Sequence, residues 1–367
     1  MDQQSLPLSP DQITAGFLTS VLKNASALKL ATVTGIQFEA VDNDTEFNAQ
    51  VARLHLQYDV PEVDAPQTII VKLPTTRTDL RDNAAIFQPG NSESWFYGHG
   101  AKRTPVRTPK AYFNTVNRAT NESFLILEDL DPVQEIDWVQ GISADSAKLA
   151  LESLTRLHAT WWGFDPRSEP GLAHIVDNGD DGIELVERFY TKAWPRFVAE
   201  TTCEITDEAR RFGAALVGRV AEAEAGLDRA PTTLIHGDYR LGNVLFKTLP
   251  EGPSCWVIDW EDIQAWSGMF DVAWFLGGCL PLNAVDQELP LLRFYHQTLE
   301  ANGVQGYSWS QCQSDYRIAM TSAFVQGILT AVPAADGNDE PSALGHAIGQ
   351  RYIAAATRWK LSDLLSR

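Results

Sequence analysis

The sequence predicts an α+β fold in two lobes: a small antiparallel β-sheet lobe with one or two helices over residues 1–128, and a larger, mainly helical lobe over 129–367. Three features predict it. The apolar pattern tends to period two over residues 31–73 and becomes helical from Ser143. Among the later helices lies one polar, strand-bearing island, at about residues 231–267. With 367 residues, 44% of them apolar and 21% charged, the chain has the length for two domains and the balance of a globular protein.

The elements follow in order. Ser9-Pro10-Asp11-Gln12 announces a first helix, with Ser9 as cap, Pro10 in the first turn, and Ile13, Phe17 and Val21 as its stripe. Leu54, Leu56 and Tyr58 alternate with polar residues, and residues 68–73 are β-branched and apolar, as in a buried strand. Asp42-Asn43-Asp44 supplies the turn between the first two strands. Strands near 110–117 and 123–128 and a helix around 92–102 complete this lobe. Asp129-Leu130-Asp131-Pro132 reads as a linker. Beyond it Ala147, Ala150, Leu151, Leu154, Leu157, His158 and Trp161 share one helical face. Further helices are expected at 182–199, 207–227, 286–302, 310–331 and 341–365, and short strands in the island at 232–235, 244–247 and 256–258.

Charge excludes some classes of partner. Twenty-nine basic against 48 acidic residues give a net charge of −19. Such a surface repels phosphate backbones and anionic headgroups, so neither nucleic acid nor membrane is expected as a partner. The most apolar short stretch, 272–282, is far below the roughly 20 residues of a spanning helix. No signal peptide is evident at Met1-Asp2-Gln3-Gln4. The four widely spaced cysteines form no metal or redox motif and read as buried free thiols of a cytoplasmic protein.

The island carries the chemistry. It contains His236-Gly237-Asp238-Tyr239-Arg240-Leu241-Gly242-Asn243, followed by Val257-Ile258-Asp259-Trp260-Glu261. Apolar strand residues flank both groups, which puts Asp238, Asn243 and Asp259 at strand ends. Carboxylate and amide oxygens suit Mg²⁺, and a carboxylate not tied to metal can take a proton from a hydroxyl. An Asp base, an Asn five residues on and a later metal Asp is the kinase arrangement.

These residues resemble the catalytic loop of the aminoglycoside phosphotransferase and choline kinase-like family, which has a protein kinase-like fold. Ile258-Asp259-Trp260 and Asp271-Val272-Ala273-Trp274 are similar to that family's later motifs. Lys72 in Val71-Lys72-Leu73-Pro74 resembles the third-strand lysine, and Glu93 in Glu93-Ser94-Trp95-Phe96-Tyr97 the helix glutamate that pairs with it. With Leu125-Ile126-Leu127-Glu128-Asp129-Leu130 as hinge, the likeness is greatest to the ecdysteroid kinase-like branch. Leu157-His158-Ala159 also fits the helix behind the catalytic loop.

The resemblance implies an ATP-dependent small-molecule kinase acting on a hydroxyl acceptor. Asp238 would be the base, and Asn243 and Asp259 would hold Mg²⁺. Lys72, positioned by Glu93, would hold phosphates, and backbone groups at Glu128 and Leu130 the nucleotide base. Arg240, two residues after Asp238, would offset charge on the transferring phosphoryl group. One departure stands out. Residues 39–48, where a glycine-rich loop would cover the phosphates, hold no glycine and four acids.

His236, His158 and Asp271 read as structural: the first bracing the loop, the second a core histidine, the third capping amides at a helix start. Trp260 and Trp266 are placed either to pack or to line an acceptor pocket. Two rival functions remain at this level, a catalytically weak nucleotide-binding regulatory protein and a metal-dependent hydrolase built on His236, Asp238 and Asp259.

Overall fold

A computed structural model describes residues 9–41, 49–75, 87–134, 136–172, 179–332 and 342–365, together with Pro7 and Ile175. The turn expected at Asp42-Asn43-Asp44, and the rest of the acidic loop from 42 to 48, lie outside the described residues. The chain divides into two compact units. One comprises Met1–Arg103, Thr108–Val133 and Ile258–Asp262, the other Thr104–Arg107, Gln134–Val257 and Ile263–Arg367.

The first unit is built on a five-stranded antiparallel sheet in the order β1-β2-β3-β5-β4. Its strands are β1 (Val33–Ala40), β2 (Ala49–Tyr58), β3 (Thr68–Pro74), β4 (Ala111–Asn117) and β5 (Glu122–Glu128). Ala52, Leu54 and Leu56 of β2 and Ile69, Val71 and Leu73 of β3 are buried in one core with Phe124 and Ile126. The α1 helix (Ala15–Asn24) covers that core with Leu18, Val21 and Leu22. Lys72 is out of phase with its apolar neighbours and leaves the strand on the opposite face. There α2 (Pro89–Trp95) supplies Glu93, and Asn114 of β4 donates to the Ser94 carbonyl at 2.6 Å.

The helix start differs from the expected one. Pro10–Gln12 forms only a 3-10 turn, and Thr14 caps α1 by accepting the Phe17 N–H at 3.2 Å. Ile13 is buried at the junction, so the chain bends there to place its side chain in the core.

The second unit is mainly helical. Its helices are α3 (Ala144–Thr160), α4 (Gly179–Glu200), α5 (Asp207–Leu216), α6 (Val220–Glu224), α7 (Met269–Cys279), α8 (Glu288–Ala301), α9 (Trp309–Ala331) and α10 (Ala343–Trp359). Gly218, at φ +73, splits the helix expected over 207–227, because a left-handed residue ends a helical run. Lys360 at φ +50 likewise ends α10. The island forms two antiparallel ribbons, β6 (Thr232–Ile235) with β9 (Gln264–Ser267) and β7 (Val244–Leu249) with β8 (Gly252–Val257). Strand β9 is not among the sequence expectations. Apart from Asp271, helix α7 is apolar all round, and it is buried along nearly its whole length, packed against α9 and α10. No helix among the described residues is long and apolar enough to cross a membrane. All four cysteines are free and buried.

Close packing around Tyr352 of α10 is testable. A Cβ on Gly327 of α9 would lie 2.0 Å from its ring. Gly327→Ala gains about 1 kcal/mol of helix propensity but loses about 1–3 kcal/mol to overpacking. The contact is with a fully buried aromatic ring, so the loss prevails, and thermal unfolding shifts down by a few degrees. An unchanged midpoint would mean that the two helices can part at no cost.

Candidate functional site

In the first unit, Lys72 gathers the charge. Its Nζ lies 2.9 Å from Glu93 Oε1, 2.8 Å from Glu93 Oε2 and 2.7 Å from Asp259 Oδ1. Glu261 Oε2 stands 3.8 Å away. The expected Lys72–Glu93 pair is therefore present, and Asp259 joins it. Asp259 is brought there by the five-residue excursion Ile258–Asp262, whose Trp260 is fully buried, stacked on Phe96 at 3.6 Å and donating to Thr108 Oγ1. That packing gives Trp260 its role, rather than the lining of an acceptor pocket. Asp259 itself sits at φ +65, in the left-handed region, which non-glycine residues occupy at a cost of roughly 1–2 kcal/mol.

The electrostatics follow from burial. Burial works against the Lys72 ammonium, but Asp259, Glu93 and Glu261 outweigh it and hold its pKa well above the ordinary lysine value. Burial lifts the Glu93 carboxyl, with Lys72 pulling the other way. Burial and then the Asp259 charge push Glu261 well above the usual carboxylate range. The nearest oxygens of Glu93, Asp259 and Glu261 lie within 4.8 Å of one another. Glu261 is a member the sequence reading missed. The positive φ of Asp259 breaks the simple alternation that would have revealed its side.

At the end of β5, Glu128 N donates to the Lys110 carbonyl at 2.8 Å, and Glu128 pairs with Ile69 of β3. Arg53 Nε donates to Asp129 Oδ2 at 2.6 Å, and Leu130 is buried. Glu128, one of the two residues expected at the hinge, thus lies beside the strand that carries Lys72.

In the second unit, the loop between β6 and β7 brings together Asp238, Arg240 and Asn243. Asp238 Oδ2 accepts from Arg240 Nε at 2.7 Å and Asn243 Nδ2 at 2.8 Å. Asp238 Oδ1 accepts from Trp274 Nε1 at 3.0 Å. Asn243 Nδ2 also reaches the Asp238 carbonyl at 2.9 Å. Gly237, at φ +85, makes the turn into this loop. Gly242 is equally constrained, since a Cβ there would lie 2.2 Å from the Trp138 ring. The same indole lies under the Arg240 guanidinium at 5.5 Å.

Asp271, in the first turn of α7, holds the loop backbone. It accepts from His236 N at 2.7 Å and Gly237 N at 2.9 Å and is fully buried. His158 is a satisfied core histidine, 3.1 Å from Asp271 and 2.7 Å from the Tyr295 hydroxyl. His236 Nδ1 accepts the Asp238 N–H at 3.3 Å. The sequence reading placed Asp271, His158 and His236 in these structural roles. Trp274 as a partner of Asp238 escaped it, although its spacing of three from Asp271 puts both on one helix face.

Comparison with known proteins follows the same lines. A model of the ecdysteroid kinase-like family matches residues 45–304. No curated protein matches. Among solved structures, a candidate aminoglycoside phosphotransferase from Ralstonia eutropha JMP134 is similar at TM-score 0.52 and 15% identity, covering 93% of this chain and 97% of that one. A spectinomycin phosphotransferase in complex with ADP and spectinomycin is similar at TM-score 0.51 and 15% identity, covering 95% and 99%. These likenesses establish a protein kinase-like fold.

The buried carboxylate of Asp271 gives a direct test. Asp271→Ala orphans a buried N–H at His236 and a part-buried one at Gly237, each worth up to about 1–3 kcal/mol. Urea unfolding is expected to show a loss of about 2–5 kcal/mol, with faster amide exchange at His236 and Gly237. A loss below about 1 kcal/mol would show that other groups hold the loop.

Proposed function

The chain belongs to the ecdysteroid kinase-like family, and on that premise we propose that it transfers the γ-phosphoryl group of ATP to a hydroxyl of a small molecule. The observation that carries this reading is the state of Asp238. It is a partly exposed carboxylate fixed by three side-chain donors, with Asn243 five residues on. A carboxylate held in one orientation and partly open is placed to take a proton from a bound hydroxyl.

The roles then follow from the chain's own groups. Asp238 receives the acceptor proton, the acceptor oxygen bonds to the γ-phosphorus, and the bond to the β–γ bridging oxygen breaks, its electron pair leaving with ADP. Lys72, kept cationic by its carboxylates, binds phosphate oxygens. Glu93 holds it in place. Backbone groups at Glu128 and Leu130 bind the nucleotide base. Arg240, a fork of donors with Nε on Asp238, neutralises charge on the phosphoryl group.

The residues fit a magnesium ion. When ionised, Glu93, Asp259 and Glu261 outnumber Lys72 and leave a formal surplus of two negative charges among hard oxygen donors. Asn243 spends its amide nitrogen on Asp238 and keeps an oxygen as acceptor. Asn243 and Asp259 would hold the ion, which supplies charge neutralisation to the phosphates. Most of the rate would then come from positioning and electrostatics. We further place the protein in the cytoplasm, in keeping with its four free thiols.

A coupled ADP-release screen over aminoglycosides, amino alcohols, sugars and apolar alcohols tests the reading. Asp238→Asn is expected to lower turnover by about 10²- to 10⁴-fold. Activity that survives it would reject the base. Mg²⁺-dependent ATP binding with no turnover on any acceptor would favour a regulatory protein instead. Arg240→Ala is expected to depress kcat much more than ATP affinity, and an unchanged kcat would remove Arg240 from the chemistry.

A further inference from the structure

A carboxylate offers about four lone-pair sites to donors. On Asp238, Oδ2 already takes two, from Arg240 Nε and Asn243 Nδ2. Oδ1 takes one, from Trp274 Nε1. Among the described residues, then, only Oδ1 keeps a lone pair for a further proton.

We propose that Trp274 is a positioning residue that fixes Oδ1 of Asp238 as the oxygen that receives the acceptor proton. The inference rests on Asp238 acting as the base. Its support is the rigidity of the indole. Trp274 lies on α7 with its ring stacked on Tyr352, 5.5 Å apart and 12° from parallel. The Tyr352 hydroxyl donates to the Trp274 carbonyl at 2.8 Å. Tyr352 is itself fully buried against Gly277 and Gly327, where a Cβ would come within 2.7 and 2.0 Å of its ring. The donor is therefore aimed before any substrate arrives. One helix does two jobs on the loop: Asp271 fixes its backbone at His236 and Gly237, and Trp274 fixes the Asp238 side chain. Terminal sp³–sp² torsions of Asp are broad, so without the indole the carboxylate is held at Oδ2 alone and turns more freely about χ2. The open lone pair then no longer has one direction.

Trp274→Phe keeps a stacked ring and deletes the N–H. With MgATP and water as the acceptor, ADP release is expected to fall about 10- to 100-fold in kcat, while KM for ATP stays within about twofold. A kcat close to that of an active wild type would overturn the proposal. A wild type that releases no ADP with water or with any acceptor of the screen would instead count against the phosphotransfer reading. The contact is then judged alone, from the ¹⁵N indole resonance that Trp274→Phe removes. Asp238→Ala is expected to shift that resonance, and a resonance left in place overturns the contact.

Discussion

One fully buried carboxylate organises the second unit. Asp271 answers two consecutive backbone N–H groups of the loop and the His158 ring. Charge taken out of water is costly unless paired and hydrogen-bonded, and these three partners meet that demand. The loop cannot leave without stranding the carboxylate, and the carboxylate cannot shift without moving α7. Asp238 and Asn243 consequently inherit their positions from the helical core. His158, tied also to Tyr295, extends the same lock into α3 and α8.

The first unit solves a different problem, with ionic charge as its instrument. Lys72 emerges from an apolar strand and would be untenable there alone. Glu93 and Asp259 pair with it directly, and Glu261 stands 3.8 Å away. Trp260, packed on Phe96, keeps Asp259 in its left-handed backbone. Hydrophobic packing thus sustains the strained residue on which the polar cluster depends.

Much of this was legible in the sequence. Alternation in 54–58 marks β2, and the β-branched apolar run at 68–73 marks β3. The interval between Asp238 and Asn243 and the order of Lys72, Glu93 and Asp259 could be read directly. What escaped depends on distant contacts. Ser9 and Thr14 are equally good caps locally, and only the burial of Ile13 in the core chooses Thr14. Helix α7 has no polar face, so periodicity does not say which way Trp274 turns. The helix expected over 207–227 ran through Gly218, whose positive φ is set by the chain's path.

The five residues Ile258–Asp262 have a consequence for how the polypeptide can be cut or assembled. They complete the first unit, yet Asp259 is 187 residues from the lysine it meets. A fragment ending at Val133 would lack both that carboxylate and the indole that covers Phe96. The N-terminal unit is therefore not a transferable module. A ribosome must deliver more than two thirds of the chain before it can close, and such long-range closure is slow. Recombination that exchanges the amino-terminal portion between relatives must carry this short downstream insert with it.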